Sequence, residues 1–236
     1  MMRVLQIICI LFLTLPVFAQ EETTEPKKEK IPDIRMGIKS GFKLPTPVAN
    51  SAFAKTIDGI ADAFASYHFP VMRYFYAGGG YRYTYFQIND FKVNSSLNAN
   101  LQIHSPYAVF GYERFANSRF LYGFGLKGGY SFLNFFSNSC SGVDPDSKGH
   151  GQSAWFIDPE LSLSLMAGEN LCFSFLFSWT IIGAEYGPEN LCLPNFSGLK
   201  DSDNQGNYQF FSAGFGFTVF LGGEKKRKAR YLGYYE

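Results

Sequence analysis

Polar and apolar residues alternate with a period of two along most of the chain. In residues 207–221, Phe211, Phe215 and Phe217 fall on one side, and Gly214 and Gly216 fall on the other. A period of two is typical of a β-strand whose two faces meet different surroundings. The alternation predicts eight strands, at residues 34–44, 60–69, 74–88, 101–113, 119–133, 153–166, 171–183 and 207–221.

The predicted strands are long, and their bulky face is the apolar one. Most run for about 10–15 residues, whereas strands of soluble sheets usually have about five or six. A tilted strand needs about 9–11 residues to cross a bilayer. The other face is small, rich in glycine and occasionally charged, which suits the narrow interior of an eight-stranded barrel. We therefore expect the bulky side chains to contact lipid.

Two of the eight segments fit the pattern less well. In residues 60–69, Phe64 falls on the face opposite to Ala63, Ala65 and the other apolar residues. In residues 101–113, the apolar positions change parity near Ser105 and Pro106. That change indicates either a β-bulge or an error in the assigned register.

The lengths of the connections support a membrane barrel. The gaps between successive predicted strands are about 14, 4, 12, 5, 19, 4 and 23 residues, and spanning barrels alternate long outer loops with short periplasmic turns in this way. Residues 34–221 therefore predict an all-β, eight-stranded antiparallel up-and-down transmembrane β-barrel in the cell outer membrane. An exported soluble β-barrel is the alternative.

The N-terminal residues predict export. A short basic start is followed by an apolar run, and Val17 and Ala19 are the small residues that precede a signal-peptidase cut. We predict a signal peptide at residues 1–19, with an uncleaved anchor as the alternative. Residues 20–33 read as a flexible periplasmic lead-in, and residues 222–236 read as a basic periplasmic tail.

The chain carries few charges for its length. Charged residues make up 17% of the sequence, against about a quarter in soluble domains. The net charge of +1 gives no field that would attract nucleic acid, so we expect no nucleic-acid partner. Because many of the charges fall in residues 21–30 and 224–236, the strands are poorer still. Outer-membrane lipid is the expected partner of the barrel surface.

Several charged residues fall on the small face of the predicted strands, where they would point into the barrel. Opposite charges enclosed there should pair, because an isolated charge within closed walls is costly. We predict a salt-bridge plug, with a narrow ion path as the alternative and a carboxylate pair for glycoside chemistry as a remote one. The residues are Arg35, Lys39, Arg82, Lys127, Asp158 and Glu160.

Histidines and cysteines are too few to indicate a catalytic centre or a metal site. His68 and Ser66 share a strand face, but no acid accompanies them, and adjacent His104 and Ser105 face opposite sides. We therefore expect no enzyme activity, no cofactor and no metal. Cys140 and Cys192 fall in or beside the two longest outer loops, where the export route allows a disulfide between them, with Cys172 free.

The periplasmic end is predicted to be basic. Arg73, Arg114 and Arg119 fall near short turns at this end. The tail can contact anionic headgroups or a periplasmic protein; the alternative is a solvated end that stops the barrel from sliding. The basic residues of the tail are Lys225, Lys226, Arg227, Lys228 and Arg230.

The first predicted strand resembles that of a known family. Residues 36–42, with their glycine, aliphatic, lysine, small and glycine pattern, resemble the opening strand of the PorT-like outer-membrane β-barrels. Phe18, Ala19 and Gln20 resemble the signal-peptide ending common in that family. The strand count is similar to that of small OmpA/OmpX-type barrels. The chain departs from many such barrels in that its last strand is followed by further residues.

The resemblance implies a role without a shared catalytic set. Some members of the PorT-like family take part in protein secretion or surface assembly. We therefore expect a non-enzymatic membrane scaffold or interaction protein, with a periplasmic or cell-surface protein as its partner. A narrow passive pore is the first alternative, and a lipid-modifying barrel enzyme is the second.

Overall fold

A computed structural model of the chain describes residues 32–48, 51–88, 99–137, 149–191 and 206–221. Within these ranges nearly every residue belongs to a strand, and no helix is long and apolar enough to cross a membrane. The elements are β1 (Gly37–Pro47), α1 (Ser51–Thr56), β2 (Ile57–Pro70), β3 (Phe75–Ile88), β4 (Ala99–Phe115), β5 (Phe120–Ser137), β6 (Gly149–Met166), β7 (Leu171–Glu185), a 3₁₀ helix (Pro188–Leu191) and β8 (Asn207–Phe220).

The eight strands form one closed antiparallel barrel. Each strand pairs with its neighbours in the chain, and β8 pairs with β1. Following paired residues once around the barrel from Gly37 leads back to β1 at Pro47, so the sheet is staggered by ten residues. Such a stagger tilts the strands and lets the sheet close. The predicted eight-stranded up-and-down barrel is confirmed.

The two ends of the barrel differ in their connections. At the end where β1 starts and β8 finishes, here called the terminal end, short turns at residues 71–74, 116–119 and 167–170 join the strands. The opposite end, here called the loop end, carries the longer connections, including α1 and the 3₁₀ helix. The predicted alternation of short and long connections is therefore present. By the usual orientation of spanning barrels, the terminal end faces the periplasm.

Large apolar side chains cover the outside of the barrel. Phe215 is 67% exposed, Phe173 57% and Trp155 51%, and soluble monomers rarely expose an apolar surface this extensive. A closed barrel leaves no unpaired strand edge, which lets its backbone sit in hydrocarbon. This surface, the apolar girdle, contacts lipid and makes the barrel a transmembrane one. It includes Ile38, Phe42, Leu44, Phe110, Phe124, Leu126, Tyr130, Trp155, Leu161, Phe173, Phe175, Trp179, Phe211, Phe215 and Phe217.

Strand β4 is regular, so the prediction of a bulge there is wrong and the register error was the correct alternative. The register with β5 is the same before and after Pro106, from His104 opposite Phe132 to Tyr107 opposite Gly129. The apparent change of parity has another cause. The loop-side half of β4 sends large apolar side chains into the barrel, where they fill the interior, and the main ones are Leu101, Ile103, Tyr107 and Val109.

Other boundaries shift, and some predicted features fall outside the described residues. Strand β1 begins at Gly37 rather than at residue 34, and the irregular pairings lie at Gly59 and at residues 182–185. The helix α1 was not predicted. The predicted signal peptide, most of the lead-in, both Cys140 and Cys192, and the basic tail lie outside the described residues.

Substituting Gly125 by alanine should destabilise the barrel. A Cβ at Gly125 would lie 2.6 Å from the Tyr76 hydroxyl oxygen, and forcing atoms into a packed interior costs about 1–3 kcal/mol. Gly128→Ala in the same strand is the matched control, because its Cβ would meet nothing nearer than 3.8 Å. The midpoint of urea unfolding in detergent, followed by tryptophan fluorescence, measures the difference. Equal midpoints for the two variants would contradict this packing.

Candidate functional site

Eight charged side chains meet inside the barrel, in the space here called the bore. They come from six strands, and each is at most 9% exposed. Every one of them has an opposite charge within 4.0 Å. This ion cluster consists of four cations and four acids, Lys39, Lys43, Arg82, Lys127, Asp62, Glu113, Asp158 and Glu160. Its formal charge is balanced, which is the arrangement that buried charges require.

Arg82 holds the loop-side half of the ion cluster. Its Nε and Nη2 donate to the two carboxylate oxygens of Asp62, at 2.7 and 2.6 Å. Its Nη1 donates to Asp158 Oδ2 at 3.1 Å and to Thr180 Oγ1 at 2.8 Å. The two-pronged contact with Asp62 uses the planar fork of the guanidinium, a geometry that a lysine cannot reproduce. Arg82 thereby ties β3 to β2 and, across the bore, to β6 and β7.

Glu160 is the central acid in the half of the ion cluster that lies nearer the terminal end. Lys127 Nζ donates to its Oε2, and Lys43 Nζ lies 3.2 Å from the same oxygen. Lys39 Nζ lies 3.6 Å from Glu160 Oε1 and 3.9 Å from Glu113 Oε1. One carboxylate thus faces three ammonium groups, and Glu113 extends the cluster toward the terminal end.

The ring of Phe64 packs against two lysines of the ion cluster. The Nζ atoms of Lys127 and Lys43 lie 4.7 and 5.4 Å from the centre of its ring, within the range of cation–π attraction. Gly41 on the neighbouring strand leaves room for this ring, since a Cβ there would lie 2.8 Å from Phe64 Cε1. In the sequence, Phe64 fell on the face opposite to the other apolar residues of β2. The structure gives the reason, because that face points into the bore.

The structure brings five of the six predicted bore charges together and separates the sixth. Lys39, Arg82, Lys127, Asp158 and Glu160 all belong to the ion cluster.

Arg35 lies instead at the rim of the terminal end. It donates to Asn170 Oδ1 at 2.7 Å and to the backbone oxygen of Glu169, and it stacks on Phe220. The reason is that β1 begins only at Gly37, so the alternation does not extend to Arg35.

Sequence reasoning missed three members of the cluster. Lys43 has the same parity as Lys39 on β1, and Asp62 has the same parity as Ser66 and His68 on β2, so the signal was present for both. Glu113 was missed because the parity of β4 was misassigned. With the regular register, Glu113 points into the bore, together with every odd-numbered residue of that strand.

An aromatic plug fills the bore at the loop end. Phe53, on α1, is fully buried and makes edge-to-face contacts with Phe86, Tyr186 and Tyr208, with ring centres 5.2–5.5 Å apart. Such contacts are the favoured geometry of packed rings. The aromatic plug consists of Phe53, Phe86, Phe135, Tyr186, Tyr208 and Phe210.

Hydrogen bonds hold α1 in this position. Thr56 Oγ1 donates to the backbone oxygen of Ala52 at 2.7 Å, so its hydroxyl is left to accept from Tyr186 Oη at 2.9 Å. Burial raises the pKa of the Tyr186 hydroxyl well above its usual range, which keeps the proton that this bond needs. The connection between β1 and β2 is thereby fastened to the segment that follows β7.

A third layer fills the terminal end of the bore. Phe115, Leu121, Cys172 and Phe220 form a buried apolar cluster, against which Met166 packs. Cys172 is a free thiol in this floor. Along its length the bore therefore contains an apolar floor, the ion cluster and the aromatic plug.

A serine and a histidine are hydrogen-bonded between the floor and the ion cluster. Ser66 Oγ lies 3.0 Å from His68 Nε2, and the His68 ring stacks on Tyr76 at 4.6 Å. Both side chains face the bore rather than the lipid, and both are buried. His104 faces outward, opposite to Ser105. Among the described residues no group of three or more His, Cys, Asp or Glu is arranged to hold a metal ion.

Neutralising Glu160 should cost the barrel much of its stability. Glu160→Gln removes the nearest carboxylate of three lysines and leaves four cations with three acids. Breaking a buried ion pair costs about 3–5 kcal/mol. The loss shows as a lower urea midpoint in detergent. Adding Lys127→Met should recover part of it, because the double variant removes a cation together with the acid. Glu169→Gln, on an exposed turn, is the control and should cost less than about 0.5 kcal/mol. If the double variant lost as much stability as Glu160→Gln and Lys127→Met lose in sum when made separately, Glu160 and Lys127 would not be coupled.

Comparisons with known proteins found similar folds among solved structures. No family model and no curated protein sequence matches the chain. Among solved structures, Neisserial surface protein A (NspA) aligns with a TM-score of 0.50 at 11% identity, over 79% of this chain and 97% of that one. OprG from Pseudomonas aeruginosa aligns at 0.48 and 15% identity, over 80% and 98%. Ail of Yersinia pestis, solved with the heparin analogue sucrose octasulfate, aligns at 0.45 and 10% identity, over 80% and 100%.

Similarity at these identities concerns the fold. The fold of this chain is that of the eight-stranded outer-membrane β-barrels, as NspA has it, and the apolar girdle fits that location. The resemblance to the PorT-like family stays a prediction. The chain is an eight-stranded antiparallel β-barrel with the fold of the outer-membrane β-barrels.

Proposed function

We propose that this protein is a non-enzymatic, non-conducting membrane scaffold that holds its outer loops and its basic tail for partner proteins, in secretion or surface assembly. The observation that carries the proposal is the filled bore. The apolar floor, the ion cluster and the aromatic plug occupy it in succession. A barrel packed in this way keeps its shape, and its exchange with other molecules takes place at its ends.

The ion cluster argues against a narrow pore. A permeating ion would have to replace close contacts such as that of Arg82 with Asp62 and that of Lys43 with Glu160. Conduction requires sites from which an ion can leave again, whereas these groups are already neutralised by one another. The aromatic plug adds a layer without charges at the loop end.

The surfaces left for partners are the two ends of the barrel. The apolar girdle is occupied by lipid, and the bore by side chains of the barrel itself. Loops on a rigid scaffold are the usual place for binding. We assign the contact with a periplasmic partner or with anionic headgroups to the tail residues Lys225, Lys226, Arg227, Lys228 and Arg230. A disulfide between Cys140 and Cys192 would join two of the outer loops.

Planar-bilayer recording tests the closed bore. The full mature chain should give no sustained single-channel steps, because its bore is filled along its length. As the matched variant we choose Phe53→Ala with Lys43→Ser and Glu160→Ser, which opens the plug and removes one cation and one acid together. This variant should raise the conductance above that of the native chain, which also shows that the barrel inserts. Sustained steps from the native chain, lost on substituting bore charges, would overturn the scaffold proposal.

The hydrogen bond between Ser66 and His68 is the observation closest to enzyme chemistry, and it is tested separately. A nucleophile that modifies lipid has to reach the membrane, whereas this pair is enclosed in the bore. Cells that carry His68→Ala should therefore show an unchanged lipid A pattern by mass spectrometry. His104→Ala, on the outer face, is the companion variant and should behave in the same way. An altered pattern in either strain would favour the lipid-modifying alternative.

A further inference from the structure

Two arginines flank one tyrosine at the rim of the terminal end. The guanidinium carbons of Arg73 and Arg114 lie 5.0 and 5.6 Å from the centre of the Tyr74 ring. Both arginines are exposed, and Tyr74 is half-buried. Arg73 comes from the turn between β2 and β3, and Arg114 comes from β4, so two separate segments bring their charges to the same ring. We call these three residues the arginine–tyrosine clamp.

The backbone fixes the clamp in place. Glu113 N donates to Tyr74 O at 2.8 Å, which binds the turn to β4 beside Arg114. Within the turn, Val71 N and Met72 N both donate to Phe75 O. The sheet therefore holds both arginines against the same ring, although their charges repel. Such an arrangement becomes favourable when an anion binds beside the two guanidinium groups.

No described acid neutralises the clamp. In the part of the chain that the structure describes, neither Arg73 nor Arg114 forms an ion pair. Glu113, which directly precedes Arg114 on β4, points into the bore. Inside the bore the structure matches every cation with an acid. The contrast indicates that the neutralising anion of the clamp comes from outside the part of the chain that the structure describes.

The surroundings of the clamp place it at the boundary of the membrane. Further toward the bilayer, Phe75, Tyr112 and Tyr122 form a row of contacting rings on the outer surface. Aromatic rings of this kind mark the level of the lipid headgroups.

We propose that the arginine–tyrosine clamp binds the phosphate of an anionic phospholipid in the leaflet on the side of the termini. The two guanidinium groups take the phosphate oxygens, since arginine matches phosphate geometry with paired N–H donors. Tyr74 keeps both guanidinium planes oriented by stacking. The proposal is independent of the scaffold function, because it concerns the outer rim and not the bore.

Native mass spectrometry of the full mature chain in detergent tests the site. The probes are phosphatidylglycerol and phosphatidylcholine with matched acyl chains, together with inorganic phosphate as the free anion. The native chain should retain phosphatidylglycerol in preference to phosphatidylcholine, and Arg73→Gln with Arg114→Gln should lower that retention by about tenfold or more, as the loss of two cations near a lipid surface implies. Millimolar inorganic phosphate should not displace the lipid.

Matched variants separate a built site from a general charge effect. Arg119→Gln removes an exposed cation of the same rim that has no described ring contact, and it should change retention by less than about threefold. Tyr74→Leu should weaken retention and Tyr74→Phe should preserve it, because only the first loses the ring. The heat-dependent mobility of each variant in gel electrophoresis shows whether it is folded. Unchanged retention in the double variant, an equal loss in Arg119→Gln, or displacement by inorganic phosphate would overturn the proposal.

Discussion

The balance of four cations and four acids inside the bore is the interaction on which the rest of the structure depends. A closed barrel in lipid turns its apolar side chains outward, so the usual apolar core is not available to much of its interior. Charged side chains can fill that space only if each has a partner of opposite charge, because burying an unpaired charge costs several kcal/mol. The network around Arg82 and Glu160 meets this condition and joins strands from opposite sides of the barrel.

The two ends of the bore are treated differently from its middle. Toward the loops the interior becomes apolar, and Phe53 of α1 inserts among rings from β3, the segment after β7 and β8. Toward the termini a smaller apolar cluster with Cys172 and Phe220 forms the floor. A polar middle between two apolar layers keeps water away from the ion pairs, which strengthens them. The rigidity of the bore is thus a property of all three layers together.

Because of this construction, the contacts of the protein with other molecules are expected at the two ends of the barrel. The girdle is apolar and the bore is neutral, whereas Arg73 and Arg114 at the rim of the terminal end have no acid beside them among the described residues. A lipid phosphate and a protein partner would bind to different parts of such a rim. The clamp is formed by the sheet and its turn, whereas the proposed protein contacts belong to the loops and the tail.

The sequence by itself determined the strands, their number and, except on β4, the face that each turns to lipid, because a period of two is imposed locally by the backbone. It also identified Lys39, Arg82, Lys127, Asp158 and Glu160 as interior charges, since each follows from the parity of its own strand. What the parity of one strand does not contain is the stagger between strands, and that stagger decides which charges meet. Only the tertiary structure therefore paired Arg82 with Asp62, placed Glu113 in the bore and Arg35 at the rim, and brought Phe53 into the loop end of the bore, because these contacts join residues that are far apart along the chain.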